Sequence, residues 1–240
     1  MIKENELAHD KKIMVNPEKI WGRTGLAGKK RLDRRAEMII DFARLGAGRK
    51  VLEIGCGSGT LTEKLAATGA EITATDIFPE FLALTKKRIK TGNVFTQIAD
   101  AETLAGSADD SLDAVVGLSV LHHLDIDKTL AGIYRVLKPG GAMAFAEPNM
   151  LNPQIAIQKN IPAIKRALGD SPDETAFFAG PIRKKLARLN FREITVVPFD
   201  FLHPAIPDSL ASAVEKIGDI LEKIPLLKEI AGSLFIGAKK

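Results

Sequence analysis

The stretch VLEIGCGSG, residues 51–59, decides the fold of this chain. A β-rich run leads straight into three glycines at alternating positions, and a helical pattern follows over Thr60–Ala67. Glycine is needed where a backbone turns sharply or comes close to a ligand, and the N-terminus of the next helix offers N–H groups to a carboxylate or a phosphate. The stretch therefore predicts a strand, a turn and a helix, with either a nucleotide site or an ordinary glycine-rich turn between them.

Outward from this stretch, β-rich and helical segments alternate. The predicted strands are Lys50–Ile54, Glu71–Asp76, Asn93–Ala99, Leu112–Val120 and Ala142–Glu147. The predicted helices are Lys30–Leu45, Thr60–Ala67, Pro79–Thr91 and Lys128–Leu137, the last closed by Pro139-Gly140-Gly141. Such alternation indicates an α/β protein with a parallel sheet and helices on both faces.

The rhythm breaks after Pro148. Prolines 153, 162 and 172 limit the following segment to short helices, and a strand at Ile194–Phe201 and the final residues GSLFIGAKK indicate an antiparallel pair at one sheet edge. We divide the chain into an N-terminal arm or lid, residues 1–30, and a main domain, 31–240, with cap insertions at about 149–175 and 202–225. Helices are predicted at Arg183–Leu189 and Ser209–Leu221.

Composition excludes several classes of protein. The 240 residues are 45% apolar, which is enough for a buried core. Cys56 is the only cysteine, so an intramolecular disulfide and a cysteine-based zinc cluster are excluded. A net charge of +4 is far from that of a dedicated nucleic-acid binder. Without a long apolar run or a secretory signal in residues 1–12, we expect a cytoplasmic protein.

Carboxylates stand at the ends of three predicted strands: Glu53, Asp76 and Asp100. Ligands of open α/β sheets bind at the carboxyl ends of the strands, and an acidic residue at the end of the second strand commonly holds a ribose diol. Asp76 fits that role, with a helix N-cap as the alternative. Asp100 could accept from the amine of an adenine ring, and a solvated loop carboxylate is its alternative.

Five motifs in order resemble the class I S-adenosylmethionine-dependent methyltransferases: VLEIGCGSG, TATDIFPE, ADAETL, SLDAVVGLSVLHHL and RVLKPGGAMAFAEPN. The resemblance covers about residues 30–147, and the LHHL and LKPGG segments are most similar to the small-molecule, methyltransferase type 11-like branch. It implies a Rossmann-like, seven-stranded, mostly parallel sheet with an antiparallel last strand and a small helical cap. It also implies S-adenosylmethionine as cofactor and S-adenosylhomocysteine as product.

The resemblance assigns roles to individual residues. The glycine turn would pass under the methionine part of the cofactor, Glu53 would orient its ammonium, Asp76 would hold the ribose hydroxyls, and Asp100 would bind the adenine amine. The cofactor-binding residues that it implies are Glu53, Gly55, Cys56, Gly57, Ser58, Gly59, Asp76, Ile77, Asp100, Ala101, Leu118, Ser119 and Trp21.

The acceptor end is expected at His122 and His123, which we place at the end of the fourth strand. Each is a candidate catalytic base or acceptor-orienting group, with a half-buried strand cap as the alternative. Related enzymes pair an acidic residue with a histidine here to bind a divalent metal; this chain has His122 in that place, so no metal is expected. Trp21 is either a lid over the cofactor or an anchor of the N-terminal arm. His203 is a weaker candidate for the pocket, and His9 is expected on the surface.

The expected activity is in-line methyl transfer to a small or lipid-like acceptor. The proposed cap carries apolar residues to cover such a molecule: Ile155, Ile157, Ile161, Phe177 and Phe178. An RNA or protein methyltransferase is one alternative, although the Asn/Asp-Pro-Pro-Tyr box used on base amines is missing. A non-catalytic cofactor-binding partner subunit is another. The oligomeric state is left open.

Three further patterns receive ordinary interpretations. Tyr134 and Lys138 have the spacing of a dehydrogenase pair, but Lys138 is more simply a cation at a helix C-terminus. Cys56 is expected to be structural. The basic run of Lys29–Arg31, Arg34 and Arg35 is interrupted by two acidic residues, so a solvated helix face is favoured over a nucleic-acid patch; Arg183–Arg188 is interpreted in the same way.

Overall fold

The protein forms a seven-stranded sheet in the order β3-β2-β1-β4-β5-β7-β6. The computed structural model describes residues 16–168, 170–171 and 174–240; His9 and Pro172 lie outside these ranges. The strands are β1 Lys50–Ile54, β2 Glu71–Asp76, β3 Val94–Ile98, β4 Leu112–Leu118, β5 Leu137–Pro148, β6 Arg192–Phe199 and β7 Ser233–Lys239. β7 pairs antiparallel with β5 and β6, and the remaining pairs are parallel. The predicted sheet is confirmed.

Ten α-helices pack around this sheet within the described residues. They are α1 Pro17–Ile20, α2 Leu26–Ala43, α3 Thr60–Ala66, α4 Pro79–Arg88, α5 Ile126–Val136, α6 Pro153–Asn160, α7 Pro162–Ala167, α8 Ala179–Arg188, α9 Asp208–Leu221 and α10 Pro225–Lys228. None of them is both long and apolar enough to span a membrane.

The central strands are buried on both faces because helices cover both. Along β5, Ala144 and Ala146 face a core shared with α2, α3 and α4, whereas Met143 and Phe145 face a core shared with α5 and α8. This alternation follows from the two-residue repeat of a strand, and it explains why the central strands have nearly continuous apolar sequences.

The sheet has its topological switch point between β1 and β4. From β1 the chain proceeds to β2 and β3 on one side, and β4 then returns to the other side of β1. Open α/β sheets bind ligands at the carboxyl ends of the strands beside such a point. The end of β1 is the glycine turn, so the fold and the sequence indicate the same place.

Two element boundaries differ from the sequence prediction because distant residues complete them. α2 begins at Leu26, inside the expected arm, where the Asp208 carboxylate accepts a hydrogen bond from the Leu26 backbone N–H at 2.7 Å. β5 begins at Leu137, before the Pro-Gly-Gly turn, because Leu137 pairs with Leu112 of β4, and Lys240 pairs with Gly140 and Gly141.

Candidate active site

The glycine turn after β1 is packed too closely for side chains. Gly55 and Gly57 have φ angles of +65° and +54°, in the left-handed region that favours glycine. A Cβ on Gly55 would lie 2.4 Å from a Val120 methyl carbon, and one on Gly57 would lie 2.9 Å from the Trp21 ring. The turn is therefore a fixed backbone surface, open to close approach by a ligand.

Asp76, at the end of β2, braces this turn. One carboxylate oxygen accepts from the Gly57 N–H at 2.9 Å, and the other accepts from the Phe78 N–H at 3.0 Å. Burial raises the Asp76 pKa, and these N–H donors oppose the rise. Each oxygen keeps a second lone pair, so Asp76 can still accept from two hydroxyl groups.

Glu53 is 1% exposed and lies behind the turn, off the cavity wall. Its Oε2 has no hydrogen-bond partner within the described residues. Burial raises the Glu53 pKa to about 7, and the neighbouring Thr62 hydroxyl and the charge of Arg23 oppose the rise. A buried carboxylate oxygen without a partner is costly, and a cationic group or a bridging water would satisfy it.

One cavity of about 440 Å³ opens at the carboxyl end of the sheet. Nine of the thirteen predicted cofactor-binding residues line it: Trp21, Gly55, Gly57, Asp76, Ile77, Asp100, Ala101, Leu118 and Ser119. The other four, Glu53, Cys56, Ser58 and Gly59, lie off its wall. Asp100 also accepts from the Glu102 N–H at 3.0 Å, which fixes the loop after β3.

Trp21 packs over the glycine turn, and its role as a lid over the cofactor stays a prediction. It stacks against Phe81 with ring centroids 5.4 Å apart, and it forms part of the cavity wall. Arg23 lies 4.7 Å from the Trp21 ring and donates to the Thr60 hydroxyl at 2.6 Å. Burial lowers the Arg23 pKa to about 10, and the Glu53 charge opposes this. Sequence reasoning missed Arg23, although it follows Trp21 by two residues.

His122 does not end β4, as the sequence suggested, but lies in a 3₁₀ turn over Leu121–His123. β4 stops at Leu118, and a left-handed Ser119 with φ +54° redirects the chain. Glu147 then fixes the turn by accepting from the N–H groups of Val120 and Leu121, at 2.9 and 3.0 Å.

Both ring nitrogens of His122 face carboxylates. Nδ1 lies 2.6 Å from Glu147 Oε2, and Nε2 lies 3.4 Å from Glu174 Oε1. Burial disfavours the imidazolium, but the two carboxylates outweigh burial and raise the His122 pKa to about 9. A histidine that is already protonated at neutral pH cannot serve as a base. His123, whose ring centroid lies 4.1 Å from that of His122, lines the cavity.

The same cluster contains the spacing of a metal site. Ligand atoms of His122, His123 and Glu174 lie within 4.8 Å of one another. A cation there would have to displace the His122 proton, because metal-bound imidazole is neutral at its ligating nitrogen.

The segment after β5 lines one end of the cavity, but mostly through residues other than those expected. Ile155 lines the cavity, together with Gln158, Lys159 and Leu168. Ile157, Ile161 and Phe178 instead point outward, and Phe177 packs on the core. The apolar periodicity of these short helices was too weak to distinguish the two faces.

The second expected cover, residues 202–225, does not reach the cavity. α9 lies against α2, where Lys30 pairs with Glu215 at 2.6 Å and Arg34 pairs with Glu222 at 2.6 Å. The prediction of a cap at 202–225 is therefore wrong in position.

Three minor candidates lie away from the cavity. His203 contacts Gln154 at 2.8 Å and is not part of the wall. Lys138 pairs with Asp113 at 3.0 Å, near the opposite, amino-terminal edge of the sheet. Cys56 is buried, and burial raises its pKa, so its thiol is unreactive.

The basic face of α2 is not uniformly solvated, contrary to the sequence interpretation. Arg31 and Arg35, one turn apart, line the cavity and share Asp200, at 2.8 and 3.1 Å. Asp33, on the other face, is half exposed and pairs with Lys64.

Comparisons with known proteins agree with this geometry. Residues 52–145 match a family model described as a methyltransferase domain. A ubiquinone biosynthesis O-methyltransferase of Xanthomonas oryzae pv. oryzae (strain PXO99A) is 34% identical over 106 residues, which are 43% of this chain and 44% of that protein. The chain thus spans less than half the length of this curated relative.

Solved structures share the fold over most of the chain. A methyltransferase from Archaeoglobus fulgidus, described as S-adenosylmethionine-dependent, has a TM-score of 0.60 at 23% identity and covers 88% of this chain and 92% of its own. Phosphoethanolamine N-methyltransferase 2 of Haemonchus contortus, in complex with S-adenosylmethionine, has a TM-score of 0.62 at 18% identity, over 87% and 52%.

The strand order, the glycine turn at the switch point and the matching domain define one class. Residues 52–145 match the methyltransferase domain family, and the sheet has the fold of the class I S-adenosylmethionine-dependent methyltransferases. The resemblance seen in its five motifs is confirmed.

Proposed function

We propose that this chain transfers the methyl group of S-adenosylmethionine to a small-molecule acceptor bound beneath the segment after β5. One observation carries the proposal: a single cavity joins Asp76 and Asp100, at the strand ends, to His123 and the Ile155 side of that segment. A cofactor site and a covered acceptor site are therefore continuous.

The residues of the cofactor half fit this ligand. The glycine turn offers a close approach, Asp76 has lone pairs left for two ribose hydroxyls, and the unpartnered Oε2 of Glu53 suits an ammonium group directly or through water. We assign Arg23 to the cofactor carboxylate, because it stands beside Glu53 and over the turn. Asp100 and Ala101 would hold the adenine.

When bound, S-adenosylmethionine supplies a methyl group carried by a positive sulfonium: an acceptor lone pair forms the new bond to the methyl carbon, and the electron pair of the broken C–S bond stays on sulfur. The chain then has to orient the acceptor and exclude water. Trp21 and the segment after β5 enclose the cavity. His123 is the candidate to receive the acceptor proton, because the pKa of about 9 keeps neighbouring His122 charged.

The acceptor class is supported by the relatives and by the wall of the cavity. The curated relative is named for ubiquinone biosynthesis, and one structural neighbour is named for phosphoethanolamine. Pro148, Ile155 and Leu168 give the acceptor side an apolar wall. We infer a small acceptor with an apolar part rather than an RNA or a protein.

Titration calorimetry with S-adenosylhomocysteine, S-adenosylmethionine and NAD tests the cofactor assignment. We expect both adenosyl ligands to bind and NAD to fail. A screen of metabolites with methyl-labelled cofactor then tests the transfer. Binding of the adenosyl ligands without transfer to any small molecule, together with stable capture of another protein, would favour the non-catalytic partner subunit instead.

A further inference from the structure

The acceptor side of the cavity has two arginines that the cofactor does not need. Arg31 and Arg35 lie four residues apart on α2, on one face of the helix, and both line the cavity. Their partner Asp200 follows β6, and Ser233 begins β7. β7 and β6 lie four and five strands away from β2 in the sheet. At about 4.8 Å per strand, this separates them from β2 by roughly 20 Å. The carboxylate that holds the two arginines therefore lies at the opposite side of the sheet from the strand ends assigned to the ribose and adenine.

One carboxylate serves both guanidinium groups. Arg31 Nε and an Arg35 terminal nitrogen donate to the same Asp200 oxygen, at 2.8 and 3.1 Å, and Ser233 also contacts it at 3.2 Å. The second Asp200 oxygen is used by the Leu202 N–H at 3.1 Å. Two guanidinium groups thus share one carboxylate oxygen.

Donors remain without acceptors at this place. Arg35 Nε is buried and has no hydrogen-bond partner, and the terminal nitrogens of Arg31 make no hydrogen bond within the described part of the chain. Burial, together with the charges of Arg31 and Arg23, lowers the Arg35 pKa to about 9, although Asp200 opposes this. A partly buried cation without full compensation is costly, and an anion in the cavity would relieve that cost.

We propose that Arg31 and Arg35 bind an anionic group of the methyl acceptor, either a carboxylate or a phosphate. The planar guanidinium forms paired hydrogen bonds with both groups. The inference rests on the proposed function, which it deepens: the acceptor is an organic anion whose apolar body lies against Pro148, Ile155 and Leu168 and whose nucleophilic atom reaches the His123 end.

Matched probe pairs test the anion requirement. We would saturate the protein with S-adenosylhomocysteine and titrate 3,4-dihydroxybenzoate against its methyl ester, and phenyl phosphate against phenol; benzoate and inorganic phosphate serve as minimal anions. Within each pair only the anionic group changes. We expect at least one anion to bind about tenfold or more tightly than its uncharged partner, and the preferred pair distinguishes carboxylate from phosphate.

Variants assign the effect to the arginines. Arg31→Gln should weaken binding of the preferred anion about 10- to 100-fold and leave the Kd for S-adenosylhomocysteine within about twofold. Arg31→Lys keeps the charge, and therefore the fold, but loses the paired geometry, so we expect an intermediate loss. Lys29→Gln is the control, because Lys29 lies on the same helix but is exposed and off the cavity.

Two results would overturn the anion site. One is that no anion binds the wild-type complex, or that all the anions bind the wild-type complex and Arg31→Gln with equal affinity. The other is a loss of S-adenosylhomocysteine affinity in Arg31→Gln, which would assign the pair to the cofactor carboxylate in place of Arg23. Failure of the wild-type protein to bind S-adenosylhomocysteine would instead refute the proposed function itself.

Discussion

Raising the pH from 7.5 to 9.5 should destabilise the folded protein through His122. Its imidazole is 5% exposed and lies between Glu147 and Glu174, at 2.6 and 3.4 Å. Burial disfavours its charge, yet the carboxylates raise the pKa from 6.5 to about 9. The folded state therefore binds this proton more tightly than the unfolded state does.

The sign and size of the effect follow from linkage. A group whose folded pKa is raised contributes stability that is fully present below the unfolded pKa, here 6.5, and is lost as the pH rises through about 9. One pKa unit corresponds to about 1.4 kcal/mol, so the shift corresponds to about 3 kcal/mol of unfolding free energy. Roughly two thirds of that contribution should still be present at pH 7.5.

Urea unfolding, followed by the fluorescence of the single tryptophan, Trp21, measures this dependence. Wild type and His122→Gln should differ in the slope of unfolding free energy against pH between 7.5 and 9.5. Glu53 and Cys56, whose pKa values burial raises, titrate in both proteins, so their effects cancel in the comparison. His203→Gln is the control, because burial lowers the His203 pKa from 6.5, further away from this pH range. Parallel slopes for wild type and His122→Gln would refute the reasoning.

Three further predictions concern the site itself. Asp76→Asn should weaken S-adenosylhomocysteine binding about 30- to 150-fold, through loss of charge-assisted hydrogen bonds. The control Asp113→Asn, at the other sheet edge, should bind as wild type does. A Kd for Asp76→Asn within about threefold of wild type by calorimetry would contradict the role of Asp76. Gly57→Ala should destabilise the protein by about 1–2 kcal/mol, because alanine is strained at φ +54° and its Cβ meets Trp21. Adding Trp21→Ala to this variant should recover part of the loss, as measured by thermal unfolding. Full additivity of the two changes would show that the two side chains do not interact. Treatment with EDTA should leave methyl transfer to an identified acceptor unchanged, since a proton occupies His122. Loss of activity that zinc or magnesium restores would instead establish a metal at His122, His123 and Glu174.

Sequence alone brought together most of the residues predicted to bind the cofactor, because their placement depends on local rules. Parallel strands end at one edge of a sheet, so Asp76 and Asp100 could be brought together from their positions after two β-rich runs. Gly55 and Gly57 were identifiable because alternating glycines between a strand and a helix are typical of a tight turn that a ligand can approach. Both carboxylates and both glycines line the cavity.

The acceptor half could not be predicted in this way because its contacts join distant residues. His122 was a candidate base until Glu147 and Glu174, 25 and 52 positions later, were found against its two nitrogens. Their combined charge changes its protonation state, and no pattern in the LHHL motif reveals them. The same holds for Arg31 and Arg35, whose partner Asp200 is 165 or more positions away.

The segment 202–225 acts on the cavity without touching it. Asp208 caps the first turn of α2, and Glu215 and Glu222 pair with Lys30 and Arg34 along the outer side of that helix. Exposed ion pairs are individually weak, but three contacts spaced along one helix fix its position and rotation. The rotation of α2 determines which of its faces is turned to the cavity. The face turned to the cavity carries the two arginines. Segment 202–225 therefore bears on the cavity through its contacts with α2 and not through its own side chains.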